Sequence, residues 1–503
     1  ILLYAKRKSE TGYKFSGDTH WQKELEANFM YEDTPDQYSA TLDTKTDMES
    51  ENPMDRLICG DVGFGKTEVA VRAAFKAVLE NKQVAVLVPT TILAVQHYNT
   101  FRDRLASFAV DVENISRLKS GREQKEILKK LEEGKLNILI GTHRILSKDI
   151  IFKDLGLLII DEEQRFGVKA KEKLRSIKPN VDTLTLTATP IPRTLNFSLL
   201  GARDLSIINT PPKNRKPIIT EIIKLDWKII SGIIRNELNR NGQVYFVNDK
   251  IKNLFQLGDL IKTYVPEAKT GIAHGQMEGK ELEEIVVKFI EKKLNVLLCT
   301  KIIESGLDIP NVNTIIINNA DKFGLAELYQ LRGRVGRSDI QAYSYLIVPP
   351  EGKLTKTAIK RLQAIEEFTD LGSGFNLAMR DMEIRGGGNV LGKAQSGFVQ
   401  DMGFDMYIST IEEAVLELKE NEFKDLFRNE ASLKKINESI EKKLQDKQTI
   451  IESDVNALIP NVFIENDTER LNIYRRLYEI NDHEELRKIS IELKDRFGEY
   501  LDD

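Results

Sequence analysis

The sequence predicts an α/β chain with two parallel-sheet domains in tandem. Two stretches, 56–210 and 218–350, alternate short apolar runs with longer amphipathic ones. That alternation builds a parallel sheet with helices on both faces. A glycine-rich turn, Gly60-Asp-Val-Gly-Phe-Gly-Lys-Thr67, follows the first apolar run. Ligands in such sheets bind at the carboxyl ends of the strands, where the other polar motifs also fall.

Composition sets the frame. The chain has 503 residues, 41% hydrophobic and 30% charged, which describes a globular protein of about three to four domains. No apolar run is long enough to cross a bilayer and no signal peptide is present, so no membrane partner and a cytoplasmic location are expected. The chain begins with Ile1, so a piece of something longer is expected. Cys59 and Cys299 are far apart and form no C-x-x-C pair, which argues against disulfide and zinc. A net charge of −5 disfavours a passive nucleic-acid coat. A motor that confines its phosphate contacts to one groove is not excluded.

In chain order, residues 1–27 read as linker helices entering from a missing N-terminal part, the second over Asp18–Asn28. The first domain spans 28–210. Thr34-Pro35 is a helix start, with Thr as cap and Pro in the first turn. Gln37 lies just inside that helix. Its amide would read the edge of an adenine, with Phe29 or Tyr31 packed on the ring, or it would cap a solvent-facing turn. Leu57–Cys59 is a strand and Glu68–Leu79 a helix. Further strands are expected at Val84–Val88, Ile138–Ile140, Leu157–Ile160 and Thr183–Leu186, and helices at 91–106, 121–133 and 168–176.

The turn between Cys59 and Glu68 fits G-x-x-x-x-G-K-[ST], in the strand–loop–helix setting a phosphate-binding loop requires. Gly60, Gly63 and Gly65 let the backbone wrap an anion, and successive N–H groups at a helix start point at it. Lys66 would reach the β- and γ-phosphates of ATP. Thr67 would offer its hydroxyl to Mg²⁺. A connecting glycine turn explains the spacing but not the Lys-Thr pair. Leu157-Leu-Ile-Ile-Asp-Glu-Glu-Gln164 places two carboxylates at a neighbouring strand end. Asp161 would hold Mg²⁺ through water, and Glu162 would orient and deprotonate the attacking water. Thr187 and Thr189, after the next strand, would hydrogen-bond that pair and sense the γ-phosphate.

Thr210-Pro-Pro-Lys-Asn-Arg-Lys-Pro217 has linker composition. The second domain, 211–350, has strands at Ile218–Ile222, Val244–Val247, Thr270–Ala273, Val296–Cys299, Thr314–Ile317 and Ser344–Val348. It lacks a phosphate loop. Gln330-Leu-Arg-Gly-Arg-Val-Gly-Arg337 instead offers Arg334 and Arg337, three apart at a helix start. Two guanidinium forks beside a γ-phosphate would stabilise transition-state charge; phosphate contacts to nucleic acid, or a basic surface patch, are the alternatives. Beyond 350, Leu354–Leu371 reads as a helix with Lys356, Lys360 and Arg361 on its polar side. A glycine-rich stretch to Gly397 then reads as a helical hairpin and a loop able to approach a DNA backbone.

The order of these motifs resembles the superfamily 2 helicases and translocases across residues 29–350, which implies two RecA-like domains. The likeness is closer still to the bacterial transcription-repair coupling factors and the related RecG branched-DNA helicases. It rests on Met54–Thr67, Thr142-His-Arg-Ile-Leu-Ser147, Asp161–Val168 and Thr187–Thr194. Phe64 in the phosphate loop, with Asp454–Ile464 and Glu469–Leu477, favours the coupling factors. The resemblance implies that Gln330 acts with Lys66, Glu162 and the two arginines. It implies that Gly306 and Asp308, in Thr300–Ile309, face the nucleotide. It assigns Thr90, Thr91, His143, Thr187, Thr189 and Thr300 to DNA contact and coupling. It makes 351–400 a translocation motif with Arg385 and Gln395 as its working residues. It makes 401–503 a small α+β C-terminal regulatory domain, expected to be truncated. The implied activity is ATP-dependent translocation on double-stranded DNA by a monomer. RNA polymerase and the excision-repair protein UvrA are the implied partners, polymerase through a missing module. A RecG-like helicase and a nucleotide-timed partner-binding protein remain the alternatives.

Overall fold

The computed structural model describes residues 11–116, 119–166, 180–188, 204–213, 215–300, 309, 311–336, 340–350, 354–368 and 371–374, with single positions beyond. The chain divides into two compact units, 1–428 and 429–503. In the second, the described residues include buried Ile473, Ile489 and Leu493.

The first unit holds both expected sheets, so the α/β class with two RecA-like domains stands. The first sheet comprises β1 (Asp55–Gly60), β2 (Gln83–Leu87), β3 (Val112–Ile115), β4 (Ile138–Gly141), β5 (Leu155–Asp161), β6 (Asp182–Thr187) and β7 (Asp204–Ile208). Their order is β3-β4-β2-β5-β6-β1-β7, and every pairing is parallel. The central strands carry near-continuous apolar runs because helices cover both faces. β3 and β7 have no counterpart in the sequence reading. They are the two edge strands, short and interleaved with polar residues such as Glu113, Asn114 and Ser206. Neither periodicity nor an apolar run marks such a strand.

The second sheet comprises β8 (Ile219–Lys224), β9 (Gln243–Val247), β10 (Thr270–Ala273), β11 (Val296–Cys299), β12 (Val312–Ile317) and β13 (Tyr343–Val348). Its order is β10-β11-β9-β12-β13-β8, again all parallel. Cys59, next to last in β1, and Cys299, at the end of β11, are buried free thiols. Burial pushes the Cys59 thiol up to about 12. Among the described residues no helix is long and apolar enough to cross a membrane.

Two boundaries shift from the sequence reading. From residue 11 onward the N-terminal stretch is part of the first domain. Phe15 and Leu25 are buried in its core. The helix His20–Ala27, capped by Thr19, sends Gln22 Nε2 to the Arg72 carbonyl at 3.3 Å. Lys45 ties it down with ion pairs of 2.6 Å to Asp18 and to Glu26. At the other end the helix is Lys356–Glu367, capped by Thr355, shorter than 354–371. Leu362, Ala364 and Ile365 pack into the second domain's core. Lys356 and Lys360 are exposed as expected. Arg361 is not on a free polar face, since its Nη1 donates to the Phe323 carbonyl at 2.7 Å. The helices read at 1–9 and 168–176 lie outside the described residues, as does most of the chain beyond 384.

β1 packs closely on β7. A methyl on Gly60 would lie 2.9 Å from both the Ile208 Cβ and the Ile208 carbonyl oxygen. Neither atom can move without displacing a strand. Gly60→Ala is therefore expected to destabilise the first domain by about 2 kcal/mol, read as a lowered urea midpoint with an unchanged slope.

Candidate functional site

β1 runs directly into the phosphate loop. Gly63 and Gly65 adopt φ of +80° and +78°, a left-handed conformation natural only to glycine. Gly65 caps the helix Lys66–Leu79, and no side chain fills that cap. An N-terminus of this kind is a ready anion site. Lys66 curls back over the loop, its Nζ donating to the carbonyls of Gly60 and Asp61, the latter at 2.9 Å. Burial pushes its pKa below the ordinary lysine value, opposed by the charges of Glu162 and Asp161. Thr67 follows in the first helical turn.

Sheet order places the acidic pair near the loop: β5 ends at Asp161, with β6 between it and β1. Asp161 is in register with Leu186 and Cys59 with Thr187. Thr187 is buried at the end of β6. Glu162 is buried and non-glycine, yet adopts φ 53°, ψ 52°. Strained conformations like this persist where surroundings over-determine them, and they cluster at functional sites. The Glu162 N–H donates to the Leu186 carbonyl at 3.0 Å. Burial raises the Glu162 pKa, and Asp161 raises it further; Arg334, Lys66 and Arg165 oppose the rise. The charges of three cations, one of them from the second domain, thus favour the ionised form of this carboxylate.

Arg334 is 2% exposed. It does not start a helix: Leu325–Arg332 ends before it, Gly333 caps that helix, and Gly336 turns with φ +73°. The glycines flanking the arginine break the helix instead of opening one. Gln330 is buried on the helix itself, and Arg165 Nη2 reaches its Oε1 at 3.5 Å. Arg337, Gly306, Asp308, Thr189, Arg385 and Gln395 lie outside the described residues.

Gln37 does cap a helix, but not on a solvent-facing turn. It is 6% exposed. Its Oε1 accepts the Thr34 N–H at 2.9 Å, and its Nε2 donates to the Phe64 carbonyl at 2.9 Å. The amide therefore holds the phosphate loop. Phe29 has the guanidiniums of Arg72 and Arg104 at 5.3 and 5.2 Å from its ring centre. Tyr31 meets its edge at 5.6 Å. Thr90 caps the helix Thr91–Arg104 through the Leu93 N–H. His143 opens a 3-10 turn, its ring 4.9 Å from Phe166. Thr300 follows β11, its N–H on the Ala273 carbonyl at 3.3 Å.

Two contributors were not singled out from the sequence. His97, buried on the helix Thr91–Arg104, places Nε2 2.9 Å from Asp161 Oδ2. Its one signal is a histidine in the apolar stripe Leu93, Ala94, Phe101. Arg215, in the proline-rich linker, donates Nη1 to the Val62 carbonyl and Nε to the Gly336 carbonyl at 3.1 Å. Its guanidinium lies 5.4 Å from the Phe64 ring centre. The linker composition concealed it.

With this geometry in place, likeness to known proteins is informative. Residues 34–197 match the DEAD/DEAH box helicase family, 227–339 the helicase conserved C-terminal domain, and 453–503 the TRCF domain. The chain is 49% identical over 500 residues to the transcription-repair-coupling factor of Bacillus subtilis (strain 168) and 47% identical over 500 residues to that of Staphylococcus aureus (strain USA300). In each case 99% of this chain aligns with 41% of the relative. The chain thus spans about two fifths of these relatives' length. Among solved structures, RecG bound to a three-way DNA junction superposes with a TM-score of 0.68 at 33% identity, covering 81% of this chain and 54% of that one. The Mycobacterium smegmatis helicase Lhr bound to ssDNA and AMP-PNP shares the fold, with a TM-score of 0.53 at 17% identity over 71% of this chain and 50% of that one.

Proposed function

We propose, from the premise that this chain belongs to the transcription-repair-coupling factor family, that it is the ATP-driven motor of a double-stranded DNA translocase. One observation carries the reading. The charges of Lys66, in its own phosphate loop, and of Arg334, in the second domain, both act on Glu162 of the first domain. A site split in this way makes hydrolysis depend on the two domains being closed, and that closure is the mechanical output.

The roles follow from placement. The loop amides and Lys66 hold the phosphates. Glu162 takes a proton from the attacking water. Arg334, with Arg337, stabilises charge as the γ-phosphoryl group transfers. Gln330, in reach of Arg165, ties the finger helix to the residues after Glu162. The Thr67 hydroxyl and the Asp161 carboxylate are hard oxygen donors suited to Mg²⁺, with His97 orienting Asp161. The ion would neutralise charge on the β- and γ-phosphates. Gly306, Asp308 and Gln37 are proposed on the nucleotide side, and Thr90, Thr91, His143, Thr187, Thr189, Thr300, Arg385 and Gln395 on the DNA and coupling side. The proposed domain scheme keeps 351–400 as translocation motif and 401–503 as regulatory domain. Within a longer chain the motor would displace RNA polymerase and bring in UvrA. The relatives' name supports that reading.

The likeness to RecG supports a second reading, a branched-DNA helicase. Triplex displacement separates the two. The expected result is ATP hydrolysis stimulated at least about tenfold by linear duplex, with displacement of a third strand and no unwinding of a fork. Efficient fork unwinding would favour the helicase. ATP turnover indifferent to DNA would overturn both, leaving a nucleotide-timed binding protein.

A further inference from the structure

The phosphate loop is fastened to the rest of the chain at a residue that its motif leaves variable. Asp61 follows Gly60 and is 8% exposed. Its carbonyl takes one of the Lys66 hydrogen bonds, at 2.9 Å. Its carboxylate points away from the loop. Oδ2 accepts the Tyr329 hydroxyl, and also the Gly372 N–H at 2.9 Å. The Tyr329 hydroxyl in turn lies 3.5 Å from Ser373 Oγ.

Each partner belongs to a segment with its own task. Tyr329 immediately precedes Gln330 on the helix that leads to Arg334. Gly372 and Ser373 form the turn between the helix Lys356–Glu367 and the segment that continues through Leu377. The fit there is close. Gly372 has φ +88°, and a methyl on it would lie 2.2 Å from the Asn209 carbonyl oxygen. A methyl on Gly374 would lie 2.2 Å from Asp61 Oδ1 and 3.1 Å from Tyr329 Cε1. Burial, together with the Asp61 charge, raises the Tyr329 pKa, so its hydroxyl stays a donor. The next loop residue is tied as well, through Arg215 from the Val62 carbonyl to the Gly336 carbonyl.

We propose that Asp61 is a positioning residue that links nucleotide occupancy to the turn Leu371–Gly374, through a carboxylate that the Tyr329 hydroxyl holds on the Gly372 N–H. The step is simple competition. Lys66 spends two of its three N–H donors on the Gly60 and Asp61 carbonyls, and a bound triphosphate draws the ammonium toward its β- and γ-phosphates. When the phosphates take the ammonium, residue 61 is released from its lysine and reorients. Its carboxylate then withdraws from the Gly372 N–H. The turn thus responds to the loop itself, in addition to any closure driven by the arginines. The inference rests on the loop binding ATP and on nothing concerning DNA.

Hydrogen exchange on the whole chain reads this link, with and without Mg²⁺ and AMP-PNP as the probe. In the parent protein, amides of a peptide covering 371–374 should exchange about tenfold faster with AMP-PNP than without it. In Tyr329→Phe that nucleotide-dependent difference should fall below about twofold, with AMP-PNP affinity nearly unchanged. Gly372→Ala, whose methyl presses on the Asn209 carbonyl oxygen and shifts the Gly372 N–H off Asp61, should abolish the difference too. A merely structural role would speed exchange equally in both nucleotide states. The proposal is overturned if AMP-PNP binds while the parent's 371–374 amides do not respond, or if Tyr329→Phe keeps the full response. Failure of AMP-PNP to bind would overturn the ATP site and the link together. An intact response without DNA stimulation would overturn only the translocase reading.

Discussion

Glu162→Gln is expected to lower ATP turnover by about a thousandfold while leaving ATP affinity within a few-fold of the parent. The substitution preserves size and removes one property, the ability to take a proton. The surroundings make that property matter. Glu162 is buried and strained at φ 53°, so the side chain cannot swing aside and let water substitute for it. Asp161 beside it does not replace it, because the Asp161 Oδ2 is held by His97 Nε2 at 2.9 Å. Lys66 and Arg334, from the two domains, both act on Glu162 through their charge, and both remain to hold phosphate in the variant. The loss therefore falls on the chemical step and not on binding. Single-turnover phosphate release, set beside the affinity for a fluorescent ATP analogue, checks this. Turnover within tenfold of the parent would remove Glu162 from the role of base.

Legibility in the sequence followed burial. Strands covered on both faces carry apolar runs, Leu157–Ile160 within Leu155–Asp161 and three successive isoleucines within Val312–Ile317, and both sheets could be read from such runs. The edge strands Val112–Ile115 and Asp204–Ile208 face solvent on one side and carry polar residues, so they were missed. The site was legible wherever its residues share a local motif, as Gly60–Thr67 and Asp161–Glu162 do. It was not legible where a contact is made by chain segments distant in sequence. His97 meets Asp161 across 64 positions, Arg215 meets Val62 across 153, and Tyr329 meets Asp61 across 268. Nothing local to those residues announces the partner. Gln37 shows a different limit: a capping box and a nucleotide-reading amide need the same residue at the same turn. Only the buried bond to the Phe64 carbonyl shows which groups the amide holds.

Arg334→Ala is expected to lower kcat by about a thousandfold or more, with little change in ATP affinity. The backbone around the arginine is held before any nucleotide arrives. Its N–H donates to the Leu331 carbonyl at 3.0 Å, and Gly336, two residues on, is fixed through Arg215 at 3.1 Å. A guanidinium so placed needs no reorganisation at the moment of charge transfer, which is where electrostatic stabilisation is worth most. Its electrostatic reach to Glu162 spans the two domains, so losing it should also uncouple hydrolysis from closure. Arg334 is 2% exposed, and its removal leaves a void that lowers stability. Arg334→Lys separates the two effects: it retains the charge and most of the volume but loses the planar fork. Its melting temperature should lie near the parent's, and its kcat between those of the parent and Arg334→Ala. Should Arg334→Lys melt like the parent and Arg334→Ala hydrolyse ATP at the parental rate, the finger role would pass to Arg337, three residues on, and Arg334 would be left as the structural anchor of the Gly333–Gly336 turn.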